Sequence, residues 1–79
     1  MEARLTLEYD KVGDILYVGK TEPYPEQECE ELDYGVVARL NAQSGDIENL
    51  EVLFFSQRFE HGESVQLPVL ADFHAVEHV

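Results

Sequence analysis

Residues 4–20 read RLTLEYDKVGDILYVGK, and the reading of this stretch decides the fold. Its first six residues alternate, with Leu5, Leu7 and Tyr9 on one side and Arg4, Thr6 and Glu8 on the other. A period of two marks a half-buried strand. ILYVG, at 15–19, is apolar on consecutive positions and rich in β-formers, which suits a central strand covered on both sides. Between the two lies DKVGD, with a glycine and two aspartates, residue types that accept the left-handed backbone of a short connection. The stretch is therefore a β-hairpin.

Downstream, TEPYPEQECEELD at 21–33 holds two prolines and six acidic residues. That composition describes an exposed loop with a short edge strand near Glu28 to Leu32. YGVVARLNA at 34–42 resumes a strand, QSGD turns, and IENLEVLFF at 47–55 completes a second hairpin in which Leu50, Val52 and Phe54 alternate with Asn49, Glu51 and Leu53. Past Ser56, SQRFEHGES is turn-like and VQLPV reads as an edge strand interrupted by Pro68. LADFHAVEHV at 70–79 fits a short helix, with Leu70, Phe73 and Val76 on one side, as well as it fits an extended arm. The expected architecture is one small domain over 1–79, α+β and mainly β. It is a small antiparallel sheet of about four to five strands built from two hairpins, with its core over about 4–59 and a C-terminal helix or arm over 60–79.

Composition narrows the function classes. At 79 residues the chain can bury only a modest core, and oligomerisation is a common remedy at this size. The apolar fraction of 44%, with four Phe and four Tyr, is that of a folded protein despite a net charge of −12. Five Lys and Arg stand against seventeen Asp and Glu, a field that repels phosphate backbones unless Arg4, Arg39 and Arg58 cluster. Direct nucleic-acid binding is not expected, whereas a basic partner protein fits; the plain alternative is that acidity serves solubility alone. No apolar run approaches the roughly 20 residues of a membrane span, and MEARLTLEYD lacks the basic start and apolar core of a signal peptide. A cytoplasmic protein without membrane contact is expected. The single cysteine, Cys29, suits a reducing compartment, and the carboxylates around it in PEQECEELD disfavour the thiolate, so an inert thiol is expected.

The two hairpins together resemble a known family. YDKVGDILYV looks like the opening signature of the small prokaryotic domain of unknown function 2283: tyrosine, aspartate, a small residue before a second aspartate, then leucine, tyrosine and a β-branched residue. The likeness continues through ELDYGVVARLN and SGDIENLEVLFFS, where Gly45, Ile47, Leu50, Glu51, Val52 and Ser56 fall at the family's spacing. It covers about Leu5 to Phe59. The resemblance implies a compact β-rich domain with no established activity and no catalytic residues to transfer. Members are commonly encoded in two-gene units, some beside proteins that look like ribonuclease toxins, which implies an antitoxin-like binding role. Where the family usually has glycine this chain has Asn49. Asparagine is second to glycine in tolerating positive φ, so a bulge or kink in the last long strand is expected to survive. Family acidic positions are here Arg39 and Asn41, and an activity needing those carboxylates is in doubt.

Four sets of residues are candidates for chemistry or binding. Asp10 and Asp14 flank the first turn, where two carboxylates either contribute to a metal or proton-transfer site or hydrogen-bond the turn's own amides. HAVEH, 74–78, matches the H-x-x-E-H pattern of one class of zinc peptidases, in which His74 and His78 ligate zinc from one helical face and Glu77 is the base. Against it stand a missing third ligand downstream, with His61 available only through chance geometry, and a chain too small for a substrate cleft. Ser44, Ser56 and Ser64 lie in no nucleophile motif, and no glycine-rich loop is present to cradle phosphate. No enzyme, cofactor or structural metal is expected. Phe54, Phe55 and Phe59 are the more suggestive group, because adjacent aromatics on a strand face opposite sides and a thin domain buries only one side well. The expectation is a homodimer whose interface includes at least one of the three. Two functions follow: a non-catalytic protein-interaction module, the antitoxin-like partner of a small basic protein, or a small-ligand or metal-binding domain using the aspartates or histidines.

Overall fold

The computed structural model of the chain describes residues 4–77. Five antiparallel strands form one open sheet: β1 (Thr6–Asp10), β2 (Ile15–Gly19), β3 (Glu28–Asp33), β4 (Val36–Leu40) and β5 (Ile47–Leu53), in the order β1-β2-β5-β4-β3. β1 and β2 make the first hairpin and β3, β4 and β5 a meander, and the two units join where β5 pairs with β2. The expected sheet, both hairpins and the short edge strand are therefore present. Among the described residues the remaining regular element is a 3₁₀ turn, Ser56–Phe59.

Register separates the two faces, because residues directly opposite each other share a side of the sheet. The pairs Leu7↔Val18, Tyr9↔Leu16, Val18↔Leu50, Leu16↔Val52, Val36↔Val52 and Ala38↔Leu50 define an apolar face. Glu8↔Tyr17↔Glu51, Gly19↔Asn49 and Arg39↔Asn49 define a polar one. Among the described residues the fully buried apolar ones are Val36, Ala38 and Val52, so the core sits on β4 and β5. β2 is internal to the sheet, yet all five of its residues are only half-buried. The double-sided cover expected for ILYVG is absent, because one layer of strands leaves a face of each internal strand open to water.

Of the helix or arm expected at the C-terminal end, residues 70–77 form the arm, with Leu70 and Phe73 exposed; a segment this short cannot hold a helix unless its apolar stripe is packed. VQLPV is not a strand, although Val65, Leu67 and Val69 are half-buried and alternate with exposed Gln66, Pro68 and Leu70. It is an extended arm, and Leu70, itself fully exposed, borders a shallow surface pocket shared with Lys20, Gly45 and Ile47. The expected bulge lies next to Asn49, with Glu48 as the extra residue between Arg39↔Asn49 and Leu40↔Ile47, but Asn49 itself does not take a positive φ. Among the described residues the positive-φ positions outside glycine are Asp14, at 56°, and Phe54, at 57°.

Candidate functional site

The two aspartates of the first turn do different things. The Asp10 carboxylate accepts from the amides of Val12 at 3.0 Å and Gly13 at 3.2 Å, an Asx turn that closes the hairpin. Asp14, in left-handed conformation, aims its carboxylate away from that turn and toward the residues after β5. It accepts from the Tyr9 hydroxyl at 2.6 Å, the Ser56 amide and hydroxyl at 2.9 Å each, and Gln57 at 3.4 Å. The Asp14 carbonyl takes a further bond from the Phe55 amide at 3.0 Å. Asp14 is thus a staple between the hairpin and the 3₁₀ turn. The Tyr9 hydroxyl, followed by the Ser56 amide, holds the Asp14 carboxyl below the usual range, and the same bond raises the Tyr9 hydroxyl.

The histidine motif has no shared face in this structure. His74 and Glu77 lie exposed in the irregular arm, so the i, i+4 geometry that would aim two imidazoles at one ion is missing, while His78 lies outside the described residues. Among the described residues, no group of three His, Cys, Asp or Glu side chains converges as a metal site.

The phenylalanines do not continue β5. The strand ends at Leu53, and the left-handed turn at Phe54 sends the two rings to separate neighbours. Phe54 stacks on Tyr34, with centroids 5.6 Å apart and planes within 12°. Phe55 packs against Tyr9 at 5.8 Å and edge-on to Phe59 at 5.3 Å. Phe55 is half-buried, while Phe54, Phe59 and Tyr34 stay exposed, Tyr34 at 75%. Arg58 locks this end: Nε donates to the Leu53 carbonyl and Nη2 to the Tyr34 carbonyl, both at 2.8 Å. Gly35, at φ +69°, leaves the space that the guanidinium fills, since a Cβ there would meet Arg58 Nη2 at 2.6 Å.

A polar network that sequence reasoning missed occupies the opposite end of the sheet. Glu48, the bulge residue, accepts from the Tyr24 hydroxyl at 2.6 Å, Gln27 at 3.0 Å and Asn41 at 3.4 Å. Gln27 also donates to Asn49 at 2.8 Å, and Asn49 donates to the Thr21 carbonyl at 2.7 Å. Gln27 and Asn49 are buried, and their bonds tie the long loop after β2 onto β5. The Tyr24 hydroxyl, then Gln27, lowers the Glu48 carboxyl, and Glu48 raises the Tyr24 hydroxyl in return. Asn49 stands where the resembled family has glycine, which was the one available signal.

Beside this network the polar face carries an open concavity of about 690 Å³, floored by Tyr17, Gly19, Asn49 and Glu51 and walled by Lys20 to Pro23. Arg39 crosses it to Glu51 at 2.6 Å, which raises the guanidinium further. The two outer strands differ in kind. β3 carries Glu28, Glu30, Glu31 and Asp33, while the apolar side of β1 leaves Leu7 61% and Tyr9 41% exposed. No helix of the described residues is long and apolar enough to cross a membrane. No family model, no curated protein and no solved structure matches the chain.

Proposed function

We propose that the chain is a non-catalytic protein-interaction module of the cytoplasm that holds a small basic partner protein, in the manner of an antitoxin. The observation that carries this reading is the Tyr34–Phe54 pair, stacked, exposed and set against the acidic β3 edge. Asp33 and Glu31 accept from the amides of Tyr34 and Gly35 at its base. Aromatic faces rimmed by carboxylates receive Arg and Lys side chains through cation–π and charge-assisted contacts together, and a net charge of −12 steers a basic protein toward them. The toxin-adjacent gene pairs implied by the resemblance supply the antitoxin setting. A non-catalytic role is supported by the internal hydrogen bonds of Asp14 and Glu48, carboxylates held below their usual range by donors from Tyr9 and Ser56 and from Tyr24 and Gln27. An exposed free Cys29 suits a reducing compartment.

The test is affinity capture from the native host with the wild-type chain and with Tyr34→Ser plus Glu30→Lys, both exposed positions. Capture of a basic protein by the wild type, released by about 0.5 M salt as exposed charge contacts are screened and lost in the variant, supports the reading. Equal capture by both, or a partner with no basic surface, refutes it. A second reading, a small-ligand or metal-binding domain, is favoured by the open polar concavity; one tightly held equivalent of metal in protein purified without a tag would select it.

A further inference from the structure

We propose that β1 is a self-pairing edge, through which two copies of the chain join antiparallel about a twofold axis at Leu7, making one ten-stranded sheet. This surface lies at the other edge of the sheet from the partner surface proposed above, and the inference stands independently of it. β1 ends the strand order of the described residues, so the outward backbone groups of its edge face no strand among them and can take a further one. Natural edges are blunted by charge on the exposed strand. β3 follows that rule with four carboxylates in six residues, and its own copy would place like charges opposite one another in any antiparallel register. On β1 the apolar residues Leu7 and Tyr9 are left bare instead.

The sequence of β1, taken with the two residues before it, is complementary to itself read backwards. About an axis at Leu7, Leu7 meets Leu7 of the second copy, Leu5 meets Tyr9, Thr6 meets Glu8, and Arg4 meets Asp10. Every pair is either apolar on the apolar side or polar on the polar side, and the outermost pair is oppositely charged. An axis at Thr6 also matches the faces, pairing Leu5 with Leu7 and Arg4 with Glu8, but it leaves Tyr9 and Asp10 with no opposite residue among 4–10 and so buries less of the bare apolar side. Two other registers fail. A shift by one residue puts Leu7 opposite Glu8 and mismatches the faces, while an axis at Glu8 sets two carboxylates directly opposite each other. A twofold axis normal to the sheet keeps both apolar faces on the same side. Tyr9, at the rim of the seam, is already braced by Phe55, itself packed on Phe59, so the dimer draws on the phenylalanines as supports. Each copy carries −12, and this long-range repulsion opposes association at low salt.

The experiment is sedimentation velocity on the full chain at roughly 1 to 300 µM in low and high salt, where a small edge interface should associate reversibly. A mass rising from 9.0 kDa toward twice that value, at lower concentration in high salt, is expected. Leu7→Lys, at a position exposed in the single copy, should give folded monomer by far-ultraviolet circular dichroism, and Arg4→Asp should weaken association about tenfold. A covalent readout guards against a variant that fails to fold. In a Cys29→Ser background, Leu7→Cys should form an intermolecular disulfide under mild oxidation, because directly opposed residues lie within disulfide reach. Leu5→Cys should not, since position 5 is roughly 13 Å from its own copy in this register. A monomer at every concentration and salt, a dimer indifferent to Leu7→Lys, or cross-linking at position 5 as fast as at position 7 overturns the proposal.

Discussion

Replacing Gly19 with alanine tests whether the buried network at the β2–β5 junction is held by a close approach. A Cβ on Gly19 would clash with Asn49 Nδ2 and sit 3.2 Å from the Thr21 carbonyl oxygen, so the Asn49 amide must move. Moving it breaks the bonds to Thr21 and from Gln27, at 2.7 and 2.8 Å, each worth about 1 kcal/mol net and more where a buried group is left unpaired. The gross loss is about 2–3 kcal/mol. Alanine is favoured over glycine within a strand by roughly 0.5–1 kcal/mol, which leaves a net destabilisation of about 2 kcal/mol, or a fall in Tm of roughly 8–16 °C for a domain of this size. The chain has no tryptophan, so urea unfolding is followed by circular dichroism or tyrosine fluorescence. The decisive measurement is the double-mutant cycle with Asn49→Gly. In that background the clash with the Asn49 amide is gone while the Thr21 carbonyl stays at 3.2 Å, and Gly19→Ala should be close to neutral. If Gly19→Ala costs the same in both backgrounds within about 0.5 kcal/mol, the close approach is not what holds the network.

Gly35→Ala should cost about 1–2 kcal/mol for the left-handed backbone alone, with a further loss as Arg58 is displaced from Tyr34, read by the same unfolding curves. Asp14→Asn should flatten the acid side of stability. A depressed folded pKa contributes stability that is present above about pH 4 and lost as pH falls through the folded value, so wild-type Tm should drop more steeply than the variant's between about pH 5 and 2.5. Arg39→Ala should lose only about 0.5–1 kcal/mol, because the ion pair with Glu51 is partly exposed; a larger loss would mean that the polar face carries more of the fold than its geometry suggests. His74→Ala should leave Tm unchanged within the effect of an ordinary surface substitution, about 0.5 kcal/mol.

What could be read from the chain follows the range over which each signal acts. Alternation in RLTLEY and the turn chemistry of DKVGD act between neighbours, and they located β1, β2 and the Asx turn at Asp10. Charge density marked β3 as an edge. The second role of Asp14 was hidden, because its donors Ser56 and Gln57 lie more than 40 residues away and nothing local distinguishes a turn aspartate from a staple. The Tyr24–Glu48 and Gln27–Asn49 bonds were hidden for the same reason. Phe54 misled because a bulky aromatic seldom takes a positive φ. There Arg58 and the stacked Tyr34 hold a conformation that the residue alone would not choose. The spacing of Leu70, Phe73 and Val76 left helix and arm equally open, and the arm is found because an apolar stripe forms a helix only where a partner packs against it.

The seam between β2 and β5 has a consequence for how the molecule comes together and comes apart. The β1–β2 hairpin and the β3–β4–β5 meander are each built from near neighbours in sequence, whereas Ile15↔Leu53 and Gly19↔Asn49 join residues 38 and 30 positions apart. Closing that loop must be paid for before its ladder gives anything back, so zipping of the seam should be the slow, late event in folding, with two preformed units colliding. The clasps sit at its extremities, Asp14 on Ser56 at one and Asn49 on Thr21 at the other. Under load or in hydrogen exchange such a joint should open as a cooperative unit with both clasps released together, and the amides of Leu16 and Val18 should exchange in step with Leu50 and Val52.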